Sequence, residues 1–145
     1  LPLIEEQVNN GGTVVFSPNG SSMLPFIRQG VDKVELTAPP QRLKRYDIAF
    51  YRRDNGAFVL HRVRKFGKDG TYIIRGDHQF EYEYGVKHTA VIAVVKGVYR
   101  GDKYIARESL QNLMWAVFGS MYFRVRYRVR HLLKGRRNNA DKGRN

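Results

Sequence analysis

Two short segments hold the residues whose types could perform chemistry: residues 20–25, GSSMLP, and residues 60–63, LHRV. Ser22 lies in a turn that a glycine precedes, and His61 lies in a run typical of a β-strand. A serine nucleophile needs a base within hydrogen-bonding distance, and the fold can supply that base from a distant part of the chain. We therefore predict that Ser22 is the nucleophile and His61 the general base of a hydrolytic centre.

Asp77 is the candidate for the third member of this centre. It directly follows Gly76 at the end of a predicted strand. A carboxylate beside an imidazole holds the ring in one orientation and stabilises the imidazolium that forms during the reaction. We expect Asp77 to do both for His61.

The same residues have ordinary structural interpretations, and two other side chains compete for the role of base. A serine in a turn commonly bonds water or a backbone N–H group, and a histidine in a strand is commonly a packed side chain. His78, next to Asp77, is an alternative base. Lys65 lies four residues beyond His61, roughly 13 Å further along the strand, so we expect it to be a surface charge.

A β-hairpin is the clearest element that the sequence predicts. Two strand-like runs, residues 47–53 and 57–66, are joined by Asp-Asn-Gly. Asn-Gly between alternating runs strongly favours a hairpin turn. The alternation places His61 on the same face as Val59 and Val63. We expect this rigid hairpin to position the candidate base.

The other strand-like runs predict a mainly β protein with an antiparallel core. They cover residues 13–17, 33–36, 71–75 and 91–99. Asp32 and Asp47 are expected to hold turns at strand starts by accepting hydrogen bonds from backbone N–H groups. We divide the chain into a short N-terminal helix (1–12), a β-rich peptidase domain (13–102), a basic amphipathic helical tail (103–135) and a disordered polar end (136–145).

The C-terminal tail combines two periodicities. Residues 123–130 alternate arginine with apolar or aromatic residues, which is the period of a strand, but the flanking residues have helical composition. We predict a continuous basic helix, because the tail supplies no partner for a strand.

The composition excludes several kinds of site. The chain of 145 residues has no cysteine, which excludes disulfides, thiolate zinc sites and cysteine nucleophiles. Its four histidines are scattered, so we expect no metal site. The net charge of +13 is concentrated at one end, since residues 103–145 hold 11 basic and 2 acidic side chains.

The sequence has no evident membrane-spanning or secretory segment. No apolar run approaches the length of about 20 residues that a helix needs to span a bilayer, and no secretory signal is visible. The chain begins with Leu1 and not with Met, so a native N-terminal segment could precede it. The sequence leaves the localisation open, with the cytoplasm and the periphery of the cytoplasmic membrane as the two options.

Four ordered segments resemble type I signal peptidases and their superfamily relatives, which include the self-cleaving SOS repressors. The segments are GSSMLP (20–25), YDIAFY (46–51), LHRV (60–63) and RGD (75–77). The chain is most similar to the signal peptidases of the endoplasmic-reticulum, archaeal and sporulating-bacterium type, in which histidine replaces the usual lysine base. The resemblance implies a signal-peptidase-like β core, with Ser22 as nucleophile, His61 as base and Asp77 as acidic third member.

The chain also departs from that family. Relatives have a further aspartate downstream of Gly-Asp, and here Glu83 is the candidate for this second acid. Gly20 occupies the position where some bacterial relatives have a hydroxyl that binds the oxyanion. We therefore expect the oxyanion donors to be the Ser22 backbone N–H and Ser21. The membrane anchor typical of the family has no counterpart in these residues.

The sequence therefore predicts a serine endopeptidase that cleaves a precursor or leader peptide and needs no cofactor. Its substrate would bind as an extended strand at a sheet edge. The alternative function is a non-catalytic binding module on the same fold, attached through its tail to anionic membrane or nucleic acid.

The tail itself has two interpretations. In one it packs on the β body and its arginines are solvated. In the other it lies at an anionic membrane surface, with Trp115, Phe118 and Tyr122 entering the acyl boundary. Nucleic acid is disfavoured, because the tail aromatics form no evident stacking platform and no helix-turn-helix precedes the body.

Overall fold

A computed structural model describes residues 2–142 as a mainly β protein, and this confirms the predicted fold class. Within these residues eight antiparallel strands form one sheet, in the order β1-β2-β7-β3-β4-β5-β6, with β8 also paired to β7. The strands are β1 (Val14–Phe16), β2 (Asp32–Thr37), β3 (Ile48–Arg52), β4 (Phe58–Phe66), β5 (Tyr72–Arg75), β6 (Glu83–Val86), β7 (Val91–Arg100) and β8 (Lys103–Ala106).

Helices precede and follow the sheet. They are α1 (Pro2–Asn9), α2 (Leu110–Met114), a π-helical turn (Trp115–Gly119) and α3 (Ser120–Lys142), with a 3₁₀ turn at His88–Ala90. The predicted N-terminal helix is confirmed over α1, and Val8 anchors it in the core. Leu3, near the start of the same helix, is exposed.

The predicted hairpin is confirmed as β3 and β4, which pair Ala49 with His61 and Phe50 with Leu60. Gly56 adopts a φ of 82° in the turn, a conformation that glycine reaches without steric cost. The Asn55 side chain accepts a hydrogen bond from the Ala57 N–H at 3.0 Å. The turn residues thus fix the register that places His61.

Two apolar clusters lie on opposite faces of β3 and β4. Along β3, Phe50 belongs to a cluster that includes Met23 and Phe26, whereas Tyr51 belongs to a cluster that includes Val63. Alternation along β4 turns consecutive side chains to opposite faces in the same way. His61 therefore lies beside Tyr51, and the next side chain, Arg62, extends over the Phe26 ring.

The predicted boundaries of the tail need correction at both ends. Residues 103–106 form β8 and not helix, because Gly101 turns the chain back along β7 and Ile105 is buried in the core. Residues 123–130 lie inside α3, so the helical interpretation of this segment is confirmed.

The helix α3 also continues to Lys142, past the predicted start of disorder at residue 136. Extending an existing helix adds one hydrogen bond for each residue fixed, and the added residues include no proline. Residues 143–145 of the predicted disordered end lie outside the described residues.

Candidate active site

His61 is buried on β4, with its side chain only 2% exposed. Its Nδ1 lies 3.1 Å from Glu83 Oε1 and 3.4 Å from the Tyr51 hydroxyl. A proton on Nδ1 would be donated to the ionised carboxylate, and this tautomer leaves Nε2 unprotonated. The ring is then an acceptor for a proton from another group.

Arg53 holds the Glu83 carboxylate in place. Its Nε donates to Oε2 at 2.9 Å and its Nη2 donates to Oε1 at 2.5 Å, which is a bidentate pair. Burial by itself would raise the pKa of Glu83, but the hydrogen bonds from Arg53 leave that pKa below its usual value. The acid that faces His61 is therefore an anion at neutral pH.

Burial also sets the protonation of the two groups next to Glu83. It lowers the pKa of His61, against the opposing attraction of the Glu83 charge. Burial, reinforced by Glu83, raises the pKa of the Tyr51 hydroxyl. The phenol therefore stays neutral near neutral pH, and of these two groups the imidazole is the one able to take up a proton there.

Asp77 does not have its predicted contact with His61. Its buried carboxylate accepts hydrogen bonds from Arg62 at 2.9 Å and from Arg64 at 2.6 Å. Alternation explains the difference, because Arg62 lies on the opposite face of β4 from His61 and Asp77 lies on the Arg62 side. Arg64 is the extra residue of a β-bulge opposite β5, which re-aims its side chain. Asp77 is a buried ion-pair partner of Arg62 and Arg64, and Glu83 takes the position next to His61.

The backbone of Ser22 packs against the segment that follows β5. The His78 N–H donates to the Ser22 carbonyl at 2.8 Å. A Cβ on Gly76 would lie 2.6 Å from the same oxygen, so glycine is needed for this close approach. Because Arg75 pairs with Arg62, the step to Gly76 brings Ser22 beside the part of β4 that carries His61.

The Ser22 side chain is half-buried, while Ser21 is exposed. Buried Met23, Phe26 and Ile27 anchor the segment in the core immediately afterwards. In the described part of the chain, no hydrogen bond joins the Ser22 hydroxyl to His61, and neither Ser21 nor Ser22 donates its backbone N–H. Both candidate oxyanion donors therefore keep their N–H groups available.

A stretch of sheet edge adjoins this site. The strand β4 pairs with β5 only from Arg62 to Phe66, so among residues 2–142 its first half, residues 58–61, pairs with β3 alone. The outer strand β1 lies close, with the Phe16 and Phe50 rings 5.8 Å apart and Phe58 stacked 5.9 Å from Phe50. An extended peptide can add to such an edge by backbone hydrogen bonds.

The helical tail begins on the Arg62–Asp77 cluster. Asn112, a buried residue of α2, accepts a hydrogen bond from Arg62 at 2.9 Å and donates to the Arg107 carbonyl at 2.6 Å. Arg64 donates to the Ala116 carbonyl in the π-helical turn. Such turns interrupt the regular hydrogen bonds of a helix and are frequent at functional sites.

The tail also covers the loop that bonds Ser22. The Phe123 ring lies 4.0 Å from His78 and 4.9 Å from Phe80, and Tyr127 lies 4.8 Å from Phe80. His78, the alternative base of the sequence analysis, is therefore packed edge-on against α3.

The remaining predicted residues have structural positions. Lys65 is exposed. Asp47 accepts a hydrogen bond from the Lys44 N–H at 2.8 Å, and Asp32 accepts one from the Arg28 N–H at 2.8 Å, as expected of turn-holding carboxylates. Burial would raise the pKa of Asp32, but hydrogen bonds from Arg100 and Arg28 lower it to about 2.

Among residues 2–142, no three side chains of histidine or carboxylate type come close enough together to hold a metal ion. Over the same residues, no helix has both the length and the apolar character to cross a bilayer.

Sequence reasoning missed most of the residues around the base. Glu83 was named only as a second acid, and Tyr51 and Arg53 were not named as partners. Residue spacing could have indicated Tyr51. It lies two residues after Ala49, the pairing partner of His61, and therefore on the same face of the sheet as His61. Arg53 and Glu83 are joined only by the fold, since 30 residues separate them.

No protein family, no curated protein and no solved structure matches this chain. The resemblance of the four ordered segments to signal peptidases therefore stays a prediction from the residues.

Proposed function

We propose that this protein is a serine endopeptidase of the signal-peptidase type, which cleaves a precursor or leader peptide through Ser22 and His61. The observation that carries the proposal is the buried His61 ring, with Nδ1 at 3.1 Å from the Glu83 carboxylate. This is the arrangement by which an acid orients a histidine base.

In the proposed reaction, the substrate extends along the open edge of residues 58–61 of β4 and presents its scissile carbonyl to Ser22. Nε2 of His61 takes the proton as the Ser22 oxygen bonds to the carbonyl carbon, and Glu83 stabilises the imidazolium. The backbone N–H groups of Ser22 and Ser21 donate hydrogen bonds to the oxyanion. His61 then gives the proton to the leaving amine as the peptide bond breaks. A water molecule next gives a proton to His61 as it attacks the acyl-enzyme, and His61 returns that proton to the Ser22 oxygen as the ester bond breaks.

The reaction requires the Ser22 hydroxyl and the His61 ring to come within hydrogen-bonding distance. Hydrogen bonds of catalytic pairs are often long before substrate binds and tighten in the complex. The proximity of Ser22 to the segment after β5 supports a short path for this movement, since that segment adjoins His61.

The test is cleavage of a peptide mixture that represents precursor and leader sequences, with new termini identified by mass spectrometry. We expect the parent to cut a subset of the peptides. Ser22→Ala and His61→Gln should lower the rate by a factor of about 10³ or more. Thr89→Ala and His131→Gln are matched controls at exposed sites and should cut like the parent.

Two results would exclude the proposal. One is cutting by Ser22→Ala or His61→Gln at the parental rate. The other is a parent that cuts no peptide of the mixture, which would favour the alternative function of a binding module.

A further inference from the structure

The outward side of the C-terminal helical segment carries a row of apolar side chains that the described residues leave exposed. We call this row the outer strip and define it by Leu110, Leu113, Val117, Met121, Val125 and Val129. Its members recur at every turn, and each is at least 42% exposed. Single exposed apolar residues are common on proteins, but a continuous row along a helix marks an interaction surface.

The opposite side of the same helices faces the body. Asn112, Ala116 and Gly119 are buried there, and Phe123 and Tyr127 contact Phe80. The helical segment is therefore already held by its inner side, and the outer strip points away from the sheet.

Charge identifies what could cover the outer strip. Residues 109–140 include no aspartate or glutamate. Arg124, Arg126, Arg128 and Arg130 are exposed and alternate with apolar or aromatic residues along α3. A partner must therefore bury apolar side chains and accept several positive charges at the same place.

A lipid surface with anionic headgroups meets both requirements. Apolar side chains enter the boundary of the acyl chains, and the guanidinium groups bond the headgroup phosphates. A second copy of the chain would bring two rows of arginine together, and like charges across an interface are repulsive. Nucleic acid would bond the arginines but would leave the outer strip in water.

We propose that the helical segment from Leu110 to Leu132 binds an anionic lipid surface, lying along it with the outer strip inserted. Leu132 is 70% exposed and extends the apolar side beyond Val129. The proposal does not rest on peptidase activity, because it concerns binding alone.

The experiment is co-sedimentation with vesicles of phosphatidylcholine, with or without phosphatidylglycerol. We expect the parent to sediment with the mixed vesicles and to stay in solution with phosphatidylcholine alone. Binding should weaken in 1 M salt, where the Debye length falls to about 3 Å from about 10 Å at 0.1 M.

A matched pair of double variants separates the outer strip from overall charge. Val117→Asp with Met121→Asp alters the outer strip and should lower vesicle binding roughly tenfold or more. Leu3→Asp with Val31→Asp adds the same charge at exposed apolar sites elsewhere and should bind like the parent. Circular dichroism checks that both variants fold.

Three outcomes would overturn the proposal. They are sedimentation that does not require phosphatidylglycerol, equal binding by the two double variants, and a parent that binds no vesicle. If analytical ultracentrifugation instead finds a dimer that Val117→Asp with Met121→Asp dissociates, the occupant is a second copy.

Discussion

At the residue scale, the charge state of the His61 ring decides whether it can serve as a base. Burial lowers its pKa, and the nearby Glu83 carboxylate opposes that effect without overcoming it. The ordinary pKa of histidine is about 6.5, so the ring is mostly neutral at neutral pH. Glu83 then stabilises the charged ring only when a proton arrives.

The pH dependence of cleavage should show this lowered pKa. A base works when it is unprotonated, so kcat/KM should rise as pH increases through the pKa of His61 in the free enzyme. Because that pKa is lowered, the rise should be centred below about pH 6.5. Steady-state rates from about pH 4 to about pH 8 measure it, and a rise centred above the ordinary histidine value would contradict the expectation.

Replacing Glu83 tests the acid that the structure places beside the base. We expect Glu83→Gln to lower kcat by about 10²–10⁴-fold, because the imidazolium loses its counter-charge. The rise of kcat/KM should also move to lower pH, since Glu83 raises the pKa of His61. Glu81→Gln, at an exposed neighbouring site, is the control, and parental rates and pH profile in Glu83→Gln would assign Glu83 a structural role only.

The sequence could identify the candidate nucleophile and the candidate base but not the carboxylate that lies beside His61. Ser22 and His61 lie in short segments whose local composition sets them apart. The choice between Asp77 and Glu83 depends on which face of β4 each carboxylate reaches. Glu83 pairs with Ile74 and Ile74 with Val63, which shares the face of His61, and this register across three strands is not visible in residue spacing.

At the element scale, the Arg62–Arg64–Asp77 cluster ties β4, the loop after β5 and α2 together. All three side chains are buried, and Arg62 also reaches Asn112 of α2. Removing one partner of a buried ion pair leaves an uncompensated charge in a medium of low polarity. The cluster therefore makes the packing of three elements depend on a single carboxylate.

Asp77→Asn should destabilise the fold more than it affects the His61 ring. We expect the free energy of unfolding to fall by about 3–5 kcal/mol, as when other buried pairs are broken. Urea denaturation measures this value, and Asp54→Asn, at an exposed turn position, should change it by less than about 0.5 kcal/mol. A stable Asp77→Asn protein without cleavage activity would instead restore Asp77 as a member of the catalytic centre.

Elements differ in how far the sequence predicts them. The β3–β4 hairpin has Asn-Gly between alternating runs, and the structure confirms it. The strands β6 (EYGV) and β8 (KYIA) show no alternation of buried and exposed residues, and the sequence did not predict them. Each pairs with a strand close to it in sequence, β6 with the four-residue β5 and β8 with the ten-residue β7.

At the scale of the whole molecule, the tail and the β body form a connected unit and not a domain with an appendage. The sequence located the excess of basic charge in the tail correctly. It could not show that the inner side of the helices contacts the body, because Arg62 and Asn112 are 50 residues apart. The proposed lipid contact and the proposed peptidase site are thus two sides of one structure.

The first half of β4, residues 58–61, pairs on one side only among residues 2–142, and its open edge affects how copies of the protein behave in solution. A bare strand edge is a template for any extended chain, including one from another copy that has partly opened. The net charge of +13 keeps copies apart while salt is low, and dissolved ions remove that protection. Colloidal stability therefore depends on electrostatic repulsion at low salt. At high salt, a peptide bound along the edge would still protect against aggregation.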